Sequence, residues 1–396
     1  MISVKEARKL IEQESFHLDK EKVTLEDSQG RILADDVVSP IPHPYFDQSA
    51  VDGYGICYNN LNINDLSFLI KGEIKAGDSC DISLIPGDAI RIFTGAQVPK
   101  TVSSVIMQEH ITRKDNGIFV SKDRIRPGSH IRKKGEQIQS DETALTKGTR
   151  ITDAGIGFLA SIGINEVCVY KKPKVGIIVT GNEFAVIPDD LELGKIYESN
   201  GQMLVSALMK LGINTSYYTC KDSKAAMLEM IKQESDNNDV LLVTGGVSVG
   251  DYDFTVPVLT DLGFETIFHK IRQKPGKPMY FGKNGNKVAF GLPGNPRSVM
   301  MCFFEYVYPF INLMMGCQKP WLETISAPLK HSHNKKDDDK VHFLATGILD
   351  NKIELLDKQA SHMLQTLALA QGIAVLEEDE LTKHQDELIN VHLLPS

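Results

Sequence analysis

Asp239-Val-Leu-Leu-Val-Thr-Gly-Gly-Val-Ser-Val-Gly250-Asp-Tyr-Asp253 runs from apolar residues straight into a glycine-rich turn that ends in acids. A short apolar run bounded by turn signals reads as a buried parallel strand. Glycines at its carboxyl end let backbone N–H groups approach an anion with no Cβ in the way. Asp251 and Asp253 could then hold a divalent cation against that anion. The plain alternative is a βα connection that binds nothing.

Working outward, strands and helices alternate. The pattern predicts a strand at 175–179, a helix over 199–211, a strand at 240–244, a helix over 254–261, a strand at 266–270 and a long helix after Asn295. Such alternation predicts a three-layer α/β domain on a parallel sheet, with ligands bound beyond the carboxyl ends of the strands. Two rigid turns fall in the same region, Gln273-Lys-Pro-Gly-Lys-Pro278 and Gly291-Leu-Pro-Gly-Asn-Pro-Arg-Ser298. Lys274 and Lys277 sit on a loop stiffened by prolines, which fixes where their ammonium groups point, so they read as an anion clamp. Asn295-Pro296 predicts a helix N-cap with proline in the first helical position, placing Ser298 at a positive helix end. An ordinary capped helix is the alternative.

With 396 residues the chain is expected to hold two to four domains. An apolar share of 42% with 24% charged residues is that of a soluble globular protein. A formal net charge of −9 argues against a nucleic-acid surface. The six cysteines show no metal-ligand spacing and no secretory leader is evident, so a cytoplasmic location is expected. Residues 299–316 tempt a transmembrane reading, but Glu305 and Pro309 interrupt them and they start from the Asn295-Pro296 cap; they read as a buried helix, with no membrane partner.

The flanks differ in texture. Ser3-x-x-Glu6 is a capping box that opens an amphipathic helix. Residues 41–140 are short apolar runs broken by glycine and proline, hence β-rich. Beyond 318, strand-like runs surround one helix at 361–370, and the charged stretch 331–340 reads as an exposed loop. The expected division is 1–40 with 141–172 as a discontinuous small α/β domain, 41–140 as an inserted β-rich domain, 173–318 as the α/β domain and 319–396 as a mostly β domain.

The β-rich region carries its own chemistry. Pro44-Tyr-Phe-Asp-Gln-Ser-Ala-Val-Asp-Gly-Tyr-Gly55 crowds Asp47 and Asp52 into one loop that could present them to a metal or ligand, or merely turn the chain. Thr94-Gly-Ala, Met107-Gln-Glu109 and the basic Arg132-Lys-Lys-Gly-Glu136 add polar groups, while His43 and His110 read as structural.

Together with Thr180-Gly-Asn-Glu183 and Glu198-Ser-Asn200, these ordered motifs closely resemble the molybdopterin molybdenumtransferase family, which includes MoeA and the gephyrin E domain. The resemblance is collinear over nearly the whole chain. It implies a four-domain subunit in a homodimer, with the discontinuous domain dimerising, and insertion of molybdate into adenylylated molybdopterin with release of AMP. It assigns Asp52, Thr94, Glu183 and Asp253 to catalysis, Asp52 and Asp253 also to Mg2+ or another divalent cation, and Gly245, Gly246, Ser248 and Asn200 to the pterin nucleotide. Lys274, Lys277, Pro278, Ser298, Lys340 and Ser361 would face molybdate. Asp52 and Thr94 match positions that approach the site from the partner subunit, and contact with the molybdopterin adenylyltransferase that makes the substrate is a further expectation. Three positions depart from the family pattern: Gln137 follows Glu136 where an aspartate is common, Lys340 stands where an arginine is usual, and Ala360 replaces a glycine.

Two other readings stay open. A related class shares the pterin-binding domain but adenylylates molybdopterin; it would be expected to show Gly-Gly-Thr-Gly where this chain has Gly245-Gly-Val-Ser-Val-Gly250, and it leaves 41–140 unexplained. A non-catalytic scaffold is the other, against which Asp52, Asp253, Lys274 and Lys277 weigh.

Overall fold

A six-stranded sheet lies at the centre of the computed structural model, which describes residues 1–58, 66–185, 191–247, 253–335 and 338–395. Its strand order is Tyr217–Cys220, Val175–Thr180, Val240–Thr244, Lys287–Leu292, Tyr280–Asn284, Glu265–His269. The first four run parallel. Tyr280–Asn284 runs antiparallel to both of its neighbours, unlike the all-parallel expectation, and Glu265–His269 at the edge runs in the direction of the first four. The reason is local: only Gly285 and Asn286 separate two strands, and a two-residue link can join antiparallel neighbours alone.

Every residue of Val240–Thr244 is buried, because helices cover both faces. Leu242 packs with Leu204 and Leu208 of helix Asn200–Lys210 and with Val299 on one side. Leu241 and Val243 pack with Met227 and Ile231 of helix Lys224–Asn237 and with Val258 of helix Thr255–Asp261 on the other. From Val175–Thr180 the chain first builds outward to Tyr217–Cys220, then returns to the opposite side as Val240–Thr244. The crevice between Thr180 and Thr244 is therefore the topological switch point, where sheets of this kind bind ligands.

The helix after Asn295 runs as Pro296–Cys302, a π-helical turn Phe303–Val307, and Tyr308–Met314. Its one carboxylate, Glu305, is buried against His392 at 2.8 Å and is ion-paired with Arg8. Among the described residues no helix is long and apolar enough to cross a membrane.

The first helix, Val4–Gln13, is capped as expected, with Ser3 Oγ accepting from Glu6 N at 3.1 Å. Lys20–Thr24 pairs with Glu166–Tyr170, and Val37–Val38 with Thr143–Leu145, so the segments on either side of the β-rich stretch return to each other. Between them a six-stranded sheet runs in the order Ser104–Met107, Gly53–Ile56, Asp88–Ile92, Ser67–Ile74, Gly117–Val120, Ile111–Lys114.

The carboxyl-terminal sheet has the order Val341–Leu349, Gly372–Leu376, Leu388–Leu393, Thr324–Pro328. Gln273–Lys274 joins its edge, parallel to Val341–Leu349, so the lysine loop is stitched onto a second sheet. The helix expected at 361–370 shrinks to Leu364–Ala368. Nor is 331–340 simply an exposed loop: Lys335 is 6% exposed, and its Nζ donates to the carbonyls of Lys340, Glu377 and Glu378 at 2.7–2.8 Å.

Candidate active site

Two cavities open side by side at the carboxyl edge of the central sheet. The first, about 600 Å³, is walled by Gly245 and Gly246, by Asn200, and by the carboxylates Glu183, Asp222 and Asp253. Gly245 and Gly246 take φ of 91° and 61°, and a Cβ on Gly245 would lie 2.5 Å from Thr180 Oγ1. Only glycine fits there, and the bare turn faces the cavity. Asn200 Nδ2 donates to Gly294 O at 2.9 Å, while its buried Oδ1 has no partner among the described residues. A buried acceptor left open beside a cavity is a place for a ligand N–H. Ser248 and Asp251 lie outside the described residues.

Asp222 carries no recognised motif and is missed by the sequence reading. It follows Tyr217–Cys220, whose mixed polar and aromatic text lacks an apolar run. The signal that could have found it is an acid directly past a strand end in an alternating α/β pattern. Burial pushes its carboxyl up, and the neighbouring carboxylates of Glu183 and Asp253 push it further, against the opposing effect of the nearby Thr180 hydroxyl. Crowded carboxylates of this kind suit a hard divalent cation. Yet among the described residues no three His, Cys, Asp or Glu side chains converge as a preformed metal site. The fit is to a cation held by one or two carboxylates together with a substrate phosphate.

The second cavity, about 770 Å³, brings together all six residues assigned to molybdate: Lys274, Lys277, Pro278, Ser298, Lys340 and Ser361. The loop carrying the first three is braced from behind. Buried Gln273 donates from Nε2 to Pro275 O at 3.1 Å and accepts at Oε1 from the Tyr306 hydroxyl. Gly276, at φ 90°, would put a Cβ 2.6 Å from Cys302 Sγ. Asn295 occupies the N-cap position with Pro296 after it, but its side chain does not cap the helix. Its Nδ2 turns instead to Ser361 Oγ at 3.1 Å, joining the helix start to the carboxyl-terminal region. Pro278, Pro293 and Asn295 line both cavities and form their common wall.

Asp52 and Thr94 meet each other and line neither cavity. Asp52 Oδ1 accepts from Thr94 N at 2.9 Å and from Thr94 Oγ1 at 2.8 Å, which holds the carboxyl below its ordinary range. Asp47 is committed elsewhere, to Lys133 Nζ and Lys134 N, each at 2.8 Å.

Known proteins match this layout. The MoeA N-terminal region (domain I and II) matches residues 2–163, and the probable molybdopterin binding domain matches 176–313. Molybdopterin molybdenumtransferase of Haemophilus influenzae is 32% identical over 100% of both chains. That of Nostoc is 32% identical over 90% of this chain and 85% of its own. The crystal structure of the molybdopterin biosynthesis moeA protein from Pyrococcus horikoshii superposes with a TM-score of 0.86 at 28% identity, covering 100% of both chains. Order of motifs, architecture and whole-length similarity agree, and the chain belongs to the molybdopterin molybdenumtransferase (MoeA) family.

Proposed function

We infer that this chain inserts molybdate into adenylylated molybdopterin and releases AMP, the last step of molybdenum cofactor biosynthesis. The observation that carries this reading is the common wall: a glycine-turn cavity with carboxylates adjoins a lysine-lined cavity through Pro278, Pro293 and Asn295. A reaction between a pterin nucleotide and an oxyanion needs two such pockets in contact, so that the dithiolene of one ligand reaches the metal of the other.

In this reading Gly245, Gly246, Ser248 and Asn200 hold the pterin nucleotide. Glu183 and Asp253, with Asp222, face its phosphoanhydride. Asp253 would hold Mg2+ or a similar cation there, which when bound would draw charge from the phosphate oxygens. Lys274, Lys277 and Lys340 neutralise molybdate, and Ser298 and Ser361 donate hydroxyls to it. Asp52 and Thr94 have no role within their own subunit's cavities, which supports a homodimer in which they complete the partner's site. The return pairings around the β-rich stretch support the division at 1–40 with 141–172, 41–140, 173–318 and 319–396. Contact with the adenylyltransferase that supplies the substrate belongs to the same proposal.

The test is direct. Purified protein with adenylylated molybdopterin should release AMP in proportion to added molybdate. AMP release that ignores molybdate, or none with both ligands present, would refute the assignment.

A further inference from the structure

The lysine-lined cavity already contains a carboxylate. Asp338 Oδ1 lies 3.0 Å from His342 Nε2, and its Oδ2 lies 3.5 Å from Lys340 Nζ. All three residues line the cavity that holds Lys274 and Lys277. His342 stands opposite Lys274 in the parallel pairing of Gln273–Lys274 with Val341–Leu349, which sets the Asp338 pair beside the clamp. The backbone here is anchored, since buried Lys335 holds the Lys340 carbonyl at 2.8 Å together with those of Glu377 and Glu378. Burial pushes the Asp338 carboxyl up, but His342 and Lys340 outweigh it and keep the group low, hence ionised at neutral pH.

A cation already matched by a carboxylate can take an outside anion only by exchanging partners, and the exchange returns less than binding to a free cation. We propose that Asp338 is an internal competitor for the oxyanion: it holds Lys340 until a doubly charged oxyanion displaces it. The inference rests on the reading of this cavity as the molybdate pocket. It makes Asp338 a determinant of molybdate affinity that acts against binding, although it sits among the binding residues.

The experiment is calorimetric titration of molybdate into wild type, Asp338→Asn, Asp338→Ser and Lys277→Ala, each checked for an unchanged thermal midpoint. Asparagine keeps the shape and a hydrogen-bonding group for His342 but removes the charge, and serine covers the case of an asparagine variant that fails to fold. The expected result is molybdate binding about tenfold tighter in both Asp338 variants. Unchanged or weaker binding in a folded Asp338 variant, with binding lost in Lys277→Ala, overturns the inference and leaves the pocket assignment standing. Wild-type binding in Lys277→Ala shows that the cavity is not the oxyanion site, and both fall.

Discussion

The Asp222 carboxyl is held above its ordinary value by burial and by Glu183 and Asp253. Crowding of this kind is unfavourable unless positive charge arrives with a ligand, which is why the carboxylates are read as the phosphoanhydride end of the site. Asp253→Asn should therefore lower AMP release about a hundredfold or more, a few kcal/mol of lost transition-state stabilisation, while adenylylated molybdopterin still binds. Rapid-quench measurement of AMP beside a binding titration checks it; near-normal release would make the carboxylate structural. Residues on turns fixed by proline, or on turns whose positive φ requires glycine, were legible from sequence, because both residue types mark the local backbone conformation. Lys274 and Lys277 line one cavity, Gly245 and Gly246 the other. Asp222 was not legible, since its role comes from three strand ends meeting in space. Nor was the buried Arg297, which donates to Phe343 O at 3.1 Å and to Gln359, and which burial pushes down to about 10.

At the scale of elements, the apolar text of Val240–Thr244 was decisive, whereas the reversed strand Tyr280–Asn284 followed from a two-residue link easily passed over. The long run after Asn295 shows how one residue changes the meaning of an element. Its π-helical turn contains Glu305, which bonds His392 and Arg8 from two other parts of the chain. Burial pushes the Glu305 carboxyl up, but the hydrogen bond and charge of His392, with Arg8, more than offset this and leave it lowered. A carboxyl lowered on folding contributes stability that is complete above its unfolded value, about 4.3, and lost as pH falls through the folded one. Glu305→Gln should thus cost about 3 kcal/mol at pH 7, with a gap from wild type that narrows below about pH 4. Urea unfolding of both proteins across that range measures it, and a gap independent of pH would show that Glu305 is not an ionised partner.

Over the whole molecule, the central α/β body and the presence of a β-rich stretch were legible from alternation and turn residues. The joining of lysine loop to carboxyl-terminal sheet was not, because Gln273–Lys274 is too short to read as a strand and its partner lies far along the chain. Asp52 and Thr94 raise the matter of assembly, since they touch each other and neither cavity. If they serve a partner's site, mixing Asp52→Ala and Lys277→Ala chains should restore part of the turnover through hybrid dimers, each with one intact site. Verified hybrids without recovery would refute a shared site. In the proposed function one pocket takes the pterin nucleotide and its neighbour takes molybdate. This division is tested most directly by titrating both ligands into wild type and Lys277→Ala. A doubly charged oxyanion held by pre-placed lysines loses about a hundredfold in affinity when one is removed, while the nucleotide, held by the glycine turn, binds as before. Equal molybdate affinity in the two proteins, or a selective loss of nucleotide binding, would contradict it.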